Sequence, residues 1–72
     1  MKVWIAEKGC YSDRGIAGVY ATAEIAMKHL DRPGSNWRYE TWGWEGREWS
    51  QWTNGLDWDD LVDITEAEVI DD

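Results

Sequence analysis

Seven of the chain's 72 residues are Trp, three are Tyr and none is Phe. Its branched aliphatics are three Leu, five Ile and four Val, about 17% of the chain. A fraction that low, beside 31% charged residues, normally marks a chain that cannot bury enough apolar surface to fold. The aromatics reverse that expectation, because each buries roughly 150–250 Å². The chain is therefore expected to fold as one small domain, residues 1–72, with Trp side chains filling most of a small core.

The spacing of apolar residues sets the elements. Lys2 to Glu7 alternates, with Val3 and Ile5 on one side and Trp4 and Ala6 on the other, which reads as a strand. Lys8 to Gly15 is a polar loop, and Ile16 to Tyr20 is a second strand expected to pair with the first as an antiparallel hairpin. Thr22 is placed to cap a helix. Ala23, Ala26, Met27 and Leu30 then fall on one stripe of that helix, with Glu24 and Lys28 on its far side. Asp31-Arg32-Pro33-Gly34 ends it.

Asn36 to Trp44 and Arg47 to Thr53 are aromatic-rich and β-prone, and Glu45-Gly46 between them predicts a tight hairpin. A two-residue loop pairs Trp42 with Trp49 and Tyr39 with Trp52. A three-residue loop with Gly46 in the left-handed region shifts every facing by one. In both registers Trp side chains occupy both faces, so some of Trp37, Trp42, Trp44, Trp49 and Trp52 stay partly exposed. Asn54-Gly55 is a further turn. Asp60 to Ile64 reads as a short strand, and Thr65 to Ile70 as a closing helical turn with Thr65 and Glu68 spaced as a capping box. The expected fold is α+β: an antiparallel sheet of four to five strands with one main helix on one face, in the order ββαββ, plus a short acidic C-terminal element.

Three short motifs follow one another in the first third: Tyr11-Ser12-Asp13, Ile16-Ala17-Gly18-Val19-Tyr20 and Thr22-Ala23-Glu24-Ile25-Ala26. Together with the strand before them, they give the stretch Val3 to Ala26 a resemblance to a small uncharacterised domain family of bacteriophage and bacterial genomes. That resemblance implies an α+β fold and a phage context. It carries no activity and transfers no functional residue.

Charge is uneven along the chain. The formal charge is −8. Residues 1–48 hold seven basic and seven acidic side chains and sum to zero. Residues 49–72 hold Asp57, Asp59, Asp60, Asp63, Glu66, Glu68, Asp71 and Asp72 and no base. An acidic segment, 54–72, thus follows a neutral body. Direct contact with a nucleic-acid backbone is disfavoured, since that needs clustered Lys and Arg. Attraction to a basic protein surface is favoured, chiefly through the association rate.

Candidate chemistry is sparse. Cys10 and His29 are the single Cys and His, and a nucleophilic pair would also need an orienting group and an oxyanion hole. Two such ligands without a second pair do not make a structural zinc site. Asp57, Asp59, Asp60 and Asp63 suggest calcium, but an EF-hand would need ligands and Gly where Leu61 and Val62 stand. No catalytic residue, metal or cofactor is therefore assigned. Ser12 and Asp13 suit a self-stabilised loop.

The expected function is a non-enzymatic binding protein, phage-encoded, that occludes a host protein with a basic surface, by anti-defence action or nucleic-acid mimicry. Trp is enriched at binding hot spots. The partner-binding set is Trp42, Trp44, Trp49, Trp52, Asp57, Trp58, Asp59, Asp60 and Asp63. The alternative is an oligomeric binder of a nucleotide signal, with Tyr11, Ser12, Asp13, Arg14, Arg38 and Arg47 as ligands and Arg side chains pairing phosphates. A homo-oligomer is compatible with both. With one Cys, no long apolar run and no leader pattern, the expected location is the cytoplasm, of the host cell if phage-encoded.

Overall fold

The computed structural model describes residues 1–9 and 14–70. Five strands form one sheet: β1 (Lys2–Lys8), β2 (Gly15–Tyr20), β3 (Arg38–Trp44), β4 (Arg47–Thr53) and β5 (Val62–Glu68). One helix, α1 (Ala23–Leu30), lies between β2 and β3 in the chain. The spatial order is β2-β1-β5-β4-β3, with every neighbouring pair antiparallel. Among the described residues no helix is long and apolar enough to cross a membrane.

The expected ββαββ order is extended by a fifth strand, and the C-terminal segment is not a short appendage. Residues 65–68 do not form the expected helical turn; they continue β5, which pairs with β1 along its whole length, from Lys8↔Val62 to Lys2↔Glu68. The physical reason is the alternation of the segment. Val62 and Ile64 point to one face and Asp63, Thr65 and Ala67 to the other, which suits a strand with one face on the core. A capping box stabilises only a few orphan amides, whereas the ladder with β1 bonds alternate residues along the whole of Val62–Glu68.

Residues opposed across the sheet sort its two faces. Ala6, Ile64, Trp52 and Tyr39 share one face, and Glu7, Asp63, Thr53 and Arg38 share the other. The helix covers the first. Ala6, Ala26, Val62 and Ile64 form its fully buried centre, with Trp4, Tyr20, Met27, Leu30, Trp37 and Trp52 packed around them. The expected apolar stripe on α1 is thus the buried one, and the Thr22 hydroxyl accepts the Ile25 N–H at 3.1 Å as its N-cap. Trp37 ties the helix end to the sheet: its indole N–H donates to Asp31 Oδ1 at 3.1 Å.

The Ile-Ala-Gly-Val-Tyr motif has a local explanation. A Cβ on Gly18 would lie 2.8 Å from the Tyr20 hydroxyl oxygen, so only glycine lets Tyr20 fold back along its own strand. The Tyr20 hydroxyl then reaches His29 Nδ1 at 2.9 Å, with the rings edge to face. The β1–β2 pairing slips at Ala6/Glu7, where Ala17 is bulged out between Gly18 and Ile16.

Asn54 joins the end of β4 to β5. Its side chain is fully buried, donates to the Asp60 carbonyl at 2.8 Å, and accepts the Val62 N–H at 3.0 Å and the Leu56 N–H at 3.2 Å. Gly55 follows at φ +72°, a left-handed turn position. The loop beyond holds one 3-10 turn, Trp58–Asp60.

Candidate functional site: a tryptophan-bearing hairpin arm

The β3–β4 hairpin adopts the two-residue loop, one of the two registers left open by the sequence. Trp42 faces Trp49, Tyr39 faces Trp52 and Trp44 faces Arg47. Glu45 at φ 49° and Gly46 at φ 79° make the two positive-φ positions of a type I′ turn, whose twist matches that of paired strands. The Tyr39 and Trp52 rings meet with centroids 5.2 Å apart, and the Thr41 and Ser50 hydroxyls lie 2.9 Å apart.

Beyond its last two residues the hairpin leaves the sheet. β4 pairs with β5 at Trp52↔Ile64 and Thr53↔Asp63 only. Continuing that register would set Ser50 against Glu66 and Glu48 against Glu68. Like charges directly opposed across strands are destabilising. The outer part of the arm projects, with no helix or strand paired against it among the described residues. Trp42, Trp44 and Trp49 are 48%, 72% and 44% exposed. All three point to the face opposite Tyr39 and Trp52, which is the face α1 does not cover.

The nine residues of the expected partner surface separate into distinct groups. Trp42, Trp44 and Trp49 crowd the outer half of the arm. Trp52 sits at the root of the arm against the core. Asp57, Trp58, Asp59 and Asp60 belong to the loop beyond the root. Four residues of strand, about 13 Å, separate Trp49 from Thr53, after which the loop begins. Asp63 is only 7% exposed and is held by Arg14, whose Nη2 lies 2.9 Å from Asp63 Oδ2.

Folding also undoes much of the charge asymmetry. As a strand beside β1, β5 lays its acids along the bases of the neutral body. Glu66 meets Lys2 Nζ at 3.5 Å, Glu68 meets the Met1 amine at 3.1 Å, and Asp60 meets Arg32 at 3.5 Å. Asp57 and Asp59 make no ion pair among the described residues. Among the described acids of the expected surface, the two outside these ion pairs thus lie in the loop at the root of the hairpin.

Three residues of the alternative ligand set can be placed: Arg14, Arg38 and Arg47. Tyr11, Ser12 and Asp13 lie outside the described residues, as does Cys10. Arg14 is committed to protein carboxylates: it also bonds Glu7 Oε2 at 3.1 Å and the Gly9 carbonyl at 3.4 Å. Burial alone would lower its pKa, but the hydrogen bonds to Asp63 and Glu7 prevail and hold the guanidinium above its ordinary value. Arg38 and Arg47 stand at opposite ends of the hairpin, about 20 Å apart along the strands. Among the described residues no three His, Cys, Asp or Glu gather as a metal site.

Two shallow depressions lie on the surface of the described residues. One, of about 310 Å³, lies where Lys8, Gly9, Gly15 and Asp59 meet, and the other, of about 500 Å³, lies between Tyr20, Ile25, Lys28 and His29. Sequence reasoning missed Asn54 as a buried hub. A signal was present, since an Asn before Gly favours a side chain bonded to nearby backbone, but its bond to Val62 depends on the fold. No protein-family model, curated protein or solved structure matches the chain.

Proposed function

We propose that this chain is a non-enzymatic binding protein that grips a protein partner with the outer half of its hairpin arm. Trp42, Trp44 and Trp49 are the anchors. One observation carries this reading: three indoles stand exposed on the same face of a projecting arm, where burial on a partner would remove a large apolar area from water. Trp at the centre of an interface commonly contributes the largest share of binding energy. Asp57 and Asp59 at the root of the arm favour a partner with a basic rim and act mainly on the encounter rate.

The phage context implied by the motifs of residues 3–26 makes a host protein the partner and occlusion of its surface the effect. Nucleic-acid mimicry is the less supported form of this reading, because four of the acids it would use are matched to cations within the chain.

The test is a capture from host lysate at low and high salt, followed by binding kinetics with the identified partner. Trp42→Ala and Trp49→Ala are each expected to raise the dissociation rate by about tenfold or more, the loss of a typical hot spot. Asp57→Asn with Asp59→Asn is expected to slow association and reduce its salt dependence. A partner that binds the Trp variants as tightly as the parent chain overturns the reading.

A further inference from the structure

The arm offers a second surface besides its indole-bearing face. β3 is an outer strand of the sheet, and its far edge pairs with nothing among the described residues. Outer strands are usually blunted by Lys, Pro or a bulge. β2, the other outer strand, carries a bulge at Ala17. β3 has neither a Pro nor a bulge, and its charged residues are Arg38 and Glu40: Arg-Tyr-Glu-Thr-Trp-Gly-Trp pairs with β4 in unbroken register.

We propose that two copies of the chain join through β3, antiparallel about a two-fold axis at Thr41, so that one sheet runs through both. This inference is independent of the partner reading above.

The hydrogen-bonding pattern selects the axis. A two-residue hairpin turn closes on a hydrogen-bonded pair, here Trp44 and Arg47, and such pairs alternate along the ladder. Tyr39, Thr41 and Gly43 are therefore the residues whose N–H and C=O groups point outward. The 2.9 Å approach of the Thr41 and Ser50 hydroxyls and the Tyr39–Trp52 ring contact fit this assignment, because side chains come closest at non-hydrogen-bonded pairs. An axis at Thr41 sets Thr41 against its own copy and Tyr39 against Gly43, so every outward group finds a partner. An axis at Glu40 opposes two carboxylates directly, and one at Trp42 leaves Tyr39 opposite the turn.

The side chains suit the same register. Arg38 falls across from Trp44 of the partner subunit, a guanidinium against an indole. Tyr39 falls across from the bare backbone of Gly43, the kind of aromatic-over-glycine contact that Tyr20 and Gly18 already make within the chain. One contact opposes the joint: the two Glu40 side chains sit diagonally across the axis, about 7–8 Å apart. Each copy also carries a formal charge of −8. Self-association is therefore expected to tighten with added salt, the reverse of binding to a basic partner. The joint leaves the Trp faces of both copies on one side of the common sheet.

Sedimentation equilibrium on the full chain tests this across the micromolar to millimolar range at low and high salt. The expected result is a mass approaching twice 8.4 kDa, reached at lower concentration in high salt. Thr41→Lys places like charges directly opposed and is expected to weaken the dimer by about fivefold. Glu40→Gln is expected to tighten it. Thr41→Cys in a Cys10→Ser background is expected to form an intermolecular disulfide quickly, since hydrogen-bonded opposed residues have Cα atoms about 5.5 Å apart, within disulfide reach. Glu24→Cys, on the exposed side of α1, is the control. A monomeric mass throughout, or cross-linking at Thr41→Cys no faster than at Glu24→Cys, overturns the proposal. A dimer unchanged by Thr41→Lys overturns it as well.

Discussion

The centre of the sheet and the hairpin arm are built from the same kind of antiparallel ladder, yet they treat side chains in opposite ways. In the centre, β1 and β5 have strands on both sides and α1 above them. There the fully buried residues are aliphatic: Ala6, Val62 and Ile64. In the arm the strands carry the largest side chains in the chain, and Trp42, Trp44 and Trp49 remain in water. Burial follows the number of neighbours a strand has, not the hydrophobicity of what it carries. Trp4, Trp37 and Trp52 reach the core because their backbones lie near its edge, and they wall it without filling it.

The largest expected effect tests how much of the fold rests on that small centre. Ile64→Ala is expected to destabilise the protein by about 3–4 kcal/mol, because the methylenes it removes touch both β1 and α1. Urea unfolding reads this as a fall in midpoint. In a chain of this size such a loss approaches the whole stability. A loss no larger than that for an arm residue would mean the two regions are not distinct.

Asn54→Ala comes next, at about 2 kcal/mol. It orphans the buried Val62 N–H and cuts the link between the end of β4 and the start of β5. Hydrogen exchange checks its location: protection is expected to fall at Val62 and Leu56 before it falls in β1. Gly46→Ala is smaller, about 1 kcal/mol, and confined to the arm. Its added methyl meets nothing within 4 Å, so the cost is the strain of a left-handed backbone at φ 79°. Amides of 42–49 are expected to exchange faster while β1 and β5 stay protected.

The sequence carries the local features of this comparison and not the long-range one. Thr22 as a cap, the Ala23-Ala26-Met27-Leu30 stripe and the Glu45-Gly46 turn are set by neighbours a few residues apart, and each is found as expected. The same holds for the Trp42–Trp49 pairing, once two strands flank a two-residue turn. The position of residues 62–68 is different. Their capping-box spacing and their alternation point to different local structures, and only pairing with β1, some sixty residues earlier in the chain, decides between them. The pairing of the acids with cations is long-range in the same way. Charge counted along the chain could not register that Asp63 would meet Arg14, or Glu66 meet Lys2, across strands. The indole-bearing arm was legible in composition, but which indoles face water depended on where β4 parts from β5.

That parting gives the smallest and most specific prediction. If Glu48 facing Glu68 holds the arm away from β5, then Glu48→Lys replaces repulsion by attraction at that position. β4 is expected to pair with β5 for several more residues, turning part of the arm into sheet interior. The gain in global stability is a few tenths of a kcal/mol, typical of one cross-strand charge pair. The local readouts are larger: slower hydrogen exchange at Ser50, whose N–H points toward β5, and weaker acrylamide quenching of Trp49 as Ala67 comes opposite it. Added salt on the parent chain is expected to shift both readouts in the same direction, because screening weakens the repulsion that Glu48→Lys removes. If exchange and quenching are unchanged in both experiments, the strands diverge through twist alone. The arm would then owe its exposure to backbone geometry and not to charge.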